Sequence, residues 1–201
     1  MNPYLGNNPE DKQLIEQVLR GNHRAFATLI GNTEHLVAQI VFKMIPVAED
    51  RKDLAQDIYL KVFRNLAGFK FQSKFSTWVA RIAFNTCLTW IDKKKPVYPG
   101  NLTEKETIPA TSEALYNTPV NASSSETRIF NKETAFIVGK EIEKLPPVYK
   151  TLIILFHQES MTYEELSQIT GLAEGTVKSS LFRARKMLKE NLLMKYEKEA
   201  L

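Results

Sequence analysis

Two stretches of this 201-residue chain carry side chains whose types and spacing suit work on nucleic acid. The first runs from Met161 to Leu188. Thr162 and Glu165 have capping-box spacing: the hydroxyl can accept from the Glu165 amide while the carboxylate reaches back to the cap. Met161 and Leu166 stand where a hydrophobic staple would. Gly171 can take the left-handed conformation that a sharp helix stop needs. Beyond it, Val177, Leu181, Ala184 and Leu188 repeat at i, i+4, i+7 and i+11, a stripe that wants burial. Lys178, Ser179, Phe182, Arg183, Arg185 and Lys186 are left on other faces. Two helices around a short glycine-containing turn, the second displaying basic and hydroxyl groups, suit the DNA major groove. A plain helical hairpin with a solvated charged face would satisfy the same pattern.

The second stretch is Gly68-Phe69-Lys70-Phe71-Gln72-Ser73-Lys74-Phe75. Three aromatics interleave with two lysines between helical patterns. Such a loop can stack unpaired bases on its rings while the lysines neutralise phosphate. The rings can equally pack under the loop as a satellite of the core. The helix that follows offers Arg81, Asn85, Thr86 and Thr89, which can donate to base edges and phosphates.

Composition narrows the classes. Hydrophobic residues make up 43% of the chain, enough for a packed core. The formal charge of +4 is too small to argue for nucleic acid by itself, so its distribution matters more. The single cysteine, Cys87, excludes a disulfide framework and fits a reducing cytoplasm. It lies in an apolar helical pattern and is expected to be a small core residue. The N-terminus carries neither a basic start nor an apolar signal core, and the apolar run Leu152 to Phe156 is too short to span a bilayer. No stable membrane insertion is expected. The histidines His23, His35 and His157 lack metal-ligand spacing, and no nucleophile-elbow or phosphate-loop pattern occurs. No enzymatic activity, cofactor or metal is therefore expected.

The elements that must position these groups read as all-α. Helix signals open at Asn8-Pro9, with Leu14, Ile15, Val18 and Leu19 as the apolar face and Gly21-Asn22 as its break. A second helical zone spans about Arg24 to Ile45, with a break or kink expected at Gly31-Asn32. A third runs from about Glu49 to Leu66, with Leu54, Ile58 and Val62 in one row. A fourth begins at Ser76 as cap and ends in Lys93-Lys94-Lys95, which suits the negative end of a helix dipole. Residues 96–125 hold Pro96, Pro99, Pro109 and Pro119 among Ser, Thr and Asn, with no sustained period, which reads as a flexible linker. A helix from about Ser125 to Lys144 and another from Pro147 to Glu159 precede the hairpin. Net charge is +5 over residues 1–95, −2 over the linker and +1 over residues 126–201. Two small helical bundles joined by a strap are expected.

With both stretches in order, the chain resembles a sigma factor of RNA polymerase, of the sigma-70 family and the short extracytoplasmic-function (ECF) type. Asp53-Leu-Ala-Gln-Asp-Ile-Tyr-Leu-Lys-Val-Phe63 followed by Phe75-Ser-Thr-Trp-Val-Ala-Arg-Ile-Ala-Phe-Asn85 is similar to the family's region 2. Leu145-Pro-Pro-Val-Tyr149, Thr162-Tyr-Glu-Glu-Leu166 and Gly175-Thr-Val-Lys-Ser-Ser-Leu-Phe-Arg-Ala-Arg185 are similar to its region 4. Either block alone could belong to another helix-turn-helix class; both, in this order, are specific. The resemblance covers roughly residues 10–190. It implies region 2 over 1–95, the linker over 96–125 and region 4 over 126–201.

The resemblance also implies roles. Asp53, Gln56, Asp57 and Leu60 would meet a clamp helix of core polymerase; acids and an amide suit a protein partner better than DNA. Phe69, Phe71, Gln72, Ser73 and Lys74, with Arg81 and Asn85, would take the single-stranded −10 element, and the Lys93–Lys95 cluster would meet phosphate. Stacking a base is worth about 1–3 kcal/mol, comparable to a duplex step at about 1.4 kcal/mol, so a small protein can help trap melted DNA without ATP. Thr176, Lys178, Ser179, Ser180, Phe182, Arg183, Arg185 and Lys186 would face the duplex −35 element, Arg183 towards bases and Arg185 and Lys186 towards phosphate. Ala173 departs from the family, which usually has a capping residue there. An anti-sigma protein is implied by the subfamily. A dimeric helix-turn-helix regulator is the alternative, but it predicts a ligand domain or dimer helix, and neither is evident. An adaptor that had lost DNA binding would be expected to lose the basic helix, which this chain keeps.

Overall fold

The computed structural model describes residues 9–94 and 135–199. Helices α1 (Pro9–Leu19), α2 (His23–Met44), α3 (Ala48–Asn65) and α4 (Phe75–Lys94) form the N-terminal half, with one 3-10 turn at Leu66–Gly68. Helical residues 135–143 (α5), α6 (Pro147–His157), α7 (Tyr163–Thr170) and α8 (Glu174–Glu199) form the C-terminal half. The described residues contain no strand. The linker expected over 96–125, the Asn8 cap, Lys95 and the start expected at Ser125 lie outside the described residues.

In the N-terminal half, Pro9 occupies the first position of α1, and Ile15 and Val18 bury. Leu19, expected on the same face, stays 54% exposed. Asn22 caps α2, its side-chain oxygen accepting from the amides of Arg24 and Ala25 at 3.0 and 3.3 Å. The break expected at Gly31-Asn32 does not occur. Leu29, Thr33, Leu36, Val37 and Ile40 form one buried stripe across it, and the Thr33 hydroxyl donates to the Leu29 carbonyl at 2.9 Å. Burying several such side chains outweighs the propensity cost of one glycine, about 1 kcal/mol. Arg51 of α3 donates to the carbonyls of Ile45 and Pro46 at 2.8 and 3.1 Å, which fixes the tight turn between α2 and α3. Helix α4 starts at Phe75, so Ser76 sits inside the first turn and is buried rather than capping. Burial of a phenylalanine gains about 1.5–3 kcal/mol, more than the roughly 1 kcal/mol of an N-cap.

The C-terminal half closes around Leu152, Leu155, Leu166, Ile169, Val177, Leu181 and Ala184. The two expected bundles are present and pack on each other, α4 against α7 and α2 against α6. Their buried side chains merge into one apolar core.

Candidate nucleic-acid interface

The hairpin is built as its spacing predicts. The Thr162 hydroxyl accepts from the Glu165 amide at 3.2 Å, and Glu165 Oε2 accepts from the Thr162 amide at 2.9 Å. Gly171 ends α7 at φ 73°. Met161 and Leu166 are both buried, as a staple requires. Ala173, which has no capping oxygen, contributes only its carbonyl, which accepts from the amides of Thr176 and Val177. Val177, Leu181 and Ala184 are fully buried. That turns Lys178, Phe182, Arg185 and Lys186 outward, with Thr176, Ser179 and Arg183 half-buried beside them. Phe182 is 54% exposed and therefore does not pack into the hairpin. Ser180 is corrected: it is fully buried and its hydroxyl donates to the Thr176 carbonyl at 2.7 Å, so it presents nothing to DNA.

Neighbouring elements tether the basic groups of α8. The Lys178 ammonium lies 5.3 Å from the Tyr163 ring centre. The Arg185 guanidinium stacks over Phe156 at 5.2 Å and donates to His157 Nε2 at 3.2 Å. Burial, and then the charge of Arg185, push the His157 pKa down, which keeps its ring neutral and able to accept. Lys186 stands 3.9 Å from Glu190, one turn away.

The aromatic loop divides its rings between two jobs. Phe69 is only 7% exposed and touches Phe71, Phe75 and Trp78 at centroid distances of 4.8, 5.7 and 5.1 Å. Phe69 is therefore corrected from a stacking face to the hub that holds the loop. Phe71 is 37% exposed and sits at φ 55°, the left-handed region that favours glycine. A bulky residue there stores about 1–3 kcal/mol of strain, a condition that clusters at functional sites. Lys70 and Gln72 are exposed, and Ser73 and Lys74 are half-buried. A cavity of about 430 Å³ opens beside the loop, lined by Lys70, Gln72, Thr77, Trp78 and Arg81. The Thr77 hydroxyl is buried there without a hydrogen-bond partner. Arg81 and Asn85 stand exposed one turn apart on α4. Thr86 is turned inward, accepting from Lys61 Nζ at 3.1 Å. Cys87 is buried, which pushes its thiol up to about 12 and leaves it inert.

On α3, Asp53, Gln56, Asp57 and Leu60 share one exposed face. Beside that face lies a larger feature absent from the sequence reading: an apolar groove of about 850 Å³ between α2 and α3. Phe26, Phe42, Tyr59, Leu60 and Phe63 line it, with Gln56 and Arg51 at its polar edge. Phe42 is 56% exposed and Phe63 44%. Exposed apolar side chains gathered in a groove mark a docking surface. The signal available in sequence was Phe42, which falls off the buried stripe of α2.

The two halves also meet through charge. Lys74 Nζ lies 2.5 Å from Glu165 Oε1. Lys43 pairs with Glu143, and His35 Nδ1 lies 3.4 Å from Glu159 Oε1. Burial alone would push the Glu165 carboxyl up, yet Lys74 and the Thr162 amide together hold it below the usual carboxylate range. Glu143 behaves the same way between Lys43 and Lys150.

Comparison with known proteins finds the same two blocks. Residues 29–97 match the family described as Sigma-70 region 2, and residues 136–188 match Sigma-70, region 4. The ECF RNA polymerase sigma-E factor of Escherichia coli K12 is 31% identical over 178 residues, covering 89% of this chain and 92% of that protein. The ECF RNA polymerase sigma factor SigW of Bacillus subtilis is 29% identical over 182 residues, covering 90% and 96%. Among solved structures, CnrH in complex with the cytosolic domain of CnrY shares the fold at a TM-score of 0.60 and 21% identity, covering 91% of this chain and 97% of that one. RpoE of Bartonella quintana, solved with the anti-sigma factor NepR, does so at 0.55 and 21%, covering 83% and 96%.

Proposed function

The chain belongs to the ECF sigma factors of the sigma-70 family, and from that premise we propose which surface carries each step of promoter-specific transcription initiation. The protein is a non-enzymatic initiation factor. The N-terminal residues 1–95 act as region 2, residues 126–201 as region 4, and 96–125 as the strap between them. Core polymerase docks a helix on α3, with Asp53, Gln56 and Asp57 as polar contacts. Leu60, Phe42 and Phe63 supply the apolar anchor in the groove. Phe71, Lys70, Gln72, Ser73 and Lys74 take the unpaired −10 strand, helped by Arg81 and Asn85. Thr176, Lys178, Ser179, Phe182, Arg183, Arg185 and Lys186 face the −35 duplex.

The observation that carries these assignments is the separation of chemistries. An apolar groove edged by Gln56 and Arg51, with Asp53 and Asp57 on the helix face beside it, lies on α2 and α3, a strained Phe71 with lysines lies in the loop, and cations with hydroxyls lie on α8. Each matches one kind of partner: protein, single strand and duplex. No helix among the described residues is long and apolar enough to cross a membrane. We place the protein in the cytoplasm, where polymerase and promoter are, and infer an anti-sigma protein as a second partner for the docking surfaces.

Photocrosslinking tests the assignments. A crosslinking amino acid at Phe71 in the holoenzyme on a promoter should mark the non-template −10 strand. The same residue at Phe182 should mark the −35 duplex. Crosslinks from Phe71 to protein alone would overturn the −10 assignment.

A further inference from the structure

We infer that the ring pair Phe156 and Tyr163, with the imidazole of His157, forms a seat that positions Arg185 and Lys178 of α8 for the phosphates of the −35 duplex. The inference rests on the −35 assignment above and adds three positioning residues to it. It follows from the kind of partner each cation has. Lys43, Lys74 and Lys150 are paired with carboxylates, and Lys94, although it lies over Trp90, also holds Asp50 at 2.8 Å. Arg185 and Lys178 differ. Their partners are the faces of Phe156 and Tyr163, at 5.2 and 5.3 Å, and, for Arg185, the uncharged His157 ring. No carboxylate among the described residues forms an ion pair with either cation.

The rings themselves are held. Phe156 of α6 and Tyr163 of α7 are half-buried against the core, with centroids 4.9 Å apart and planes tilted by 33°. Lys178 and Arg185 both stay exposed, and their spacing of i, i+7 places them two turns apart on one face of α8. A carboxylate would have to be displaced before either cation met a phosphate, whereas a ring face needs no displacement. A guanidinium stacks through its plane and donates through its edges. The Nε and Nη2 side of Arg185 is turned to His157 Nε2 at 3.4 and 3.2 Å, which leaves the Nη1 hydrogens for a phosphate oxygen. The seat therefore restricts the cation without cancelling its charge. Holding a flexible side chain in its bound pose strengthens binding, because less ordering remains to be done on contact.

Binding of the holoenzyme to a −35 duplex from a promoter it transcribes tests this, read by fluorescence anisotropy across a salt series. Arg185→Ala should weaken binding and lower the salt slope by about one. Phe156→Leu keeps apolar bulk and removes the ring face; it should weaken binding about two- to fivefold, the worth of an exposed cation–π contact. In the Arg185→Ala background Phe156→Leu should have no further effect, because both changes remove one interaction. Tyr163→Leu should weaken binding to a similar degree, and Tyr163→Phe, which restores the ring, should recover the affinity. His157→Leu, at an exposed position, removes only the acceptor and should weaken binding about twofold, the low end of one hydrogen bond. His157→Gln returns an acceptor and should recover the loss. Thermal unfolding of each full chain separates loss of fold from loss of the seat. Wild-type affinity in the folded variants at all three positions, or additive effects of Phe156→Leu and Arg185→Ala, would overturn the seat. Unchanged affinity and salt slope in both Arg185→Ala and Lys178→Ala would instead overturn the −35 assignment.

Discussion

The two DNA-facing parts of this molecule are built in opposite ways. The α7–α8 hairpin follows local rules almost throughout: capping box, staple, left-handed glycine stop and a buried stripe of Val177, Leu181 and Ala184, with Ala173 before α8 as the exception. The loop between Gly68 and Phe75 breaks several. Phe71 sits at a positive φ, Phe69 buries its ring while Phe71 two residues on stays partly exposed, and Thr77 of the adjoining α4 holds a buried hydroxyl without a partner. The difference follows the ligand. Duplex DNA offers a fixed groove, which a stiff helix can read as presented. An unpaired base must be caught after the duplex opens, and a loop already carrying strain pays less to rearrange around it.

Substitutions within the loop sharpen that contrast most. Phe69→Ala should destabilise the fold by about 3–5 kcal/mol, the usual cost of emptying a buried phenylalanine site, measurable by urea unfolding. Phe71→Ala should cost clearly less, about 1 kcal/mol, since only part of its ring packs on Phe69. It should nonetheless weaken −10 oligonucleotide binding by the holoenzyme by about 1–3 kcal/mol, one base stack. If Phe71→Ala destabilises as much as Phe69→Ala, the division between hub and reader fails.

In the hairpin, Thr162→Ala should cost about 1 kcal/mol through loss of the cap, lowering thermal stability and −35 duplex binding together. Acid should act last and on the contact between the parts. Glu165 and Glu143 titrate below the usual carboxylate value of 4.5, so their stabilising contribution is complete above it. It is lost as pH falls through their depressed values. The distance between spin labels on cysteines introduced at the exposed positions Gln13 and Gln158 should therefore stay constant from neutrality to about pH 5 and widen only in stronger acid, where the usual carboxylate value has been passed. Widening already at pH 6 would point to a different contact.

How much of this was legible in sequence depended on range. Thr162, Glu165, Gly171 and the Val177–Ala184 stripe act over one or two turns, so spacing alone revealed them. Phe69 and Phe71 are two residues apart with the same composition around them; only packing against Phe75 and Trp78 separates hub from exposed ring. Ser180 looked like its neighbour Ser179 until the turn of α8 placed it against the core. The continuity of α2 through Gly31 and the groove at Phe42 and Phe63 depend on tertiary burial, which overrides local propensity. The pairs joining Lys43 to Glu143 and Lys74 to Glu165 span 100 and 91 positions, beyond any local pattern.

The central claim is that this chain confers promoter choice on polymerase. The direct measurement is in-vitro transcription from fragmented genomic DNA of the source bacterium, using sigma-free core polymerase with and without the protein. The account predicts discrete new start sites that share two spaced motifs. Absence of new starts, with the protein still binding duplex DNA as a dimer, would contradict it.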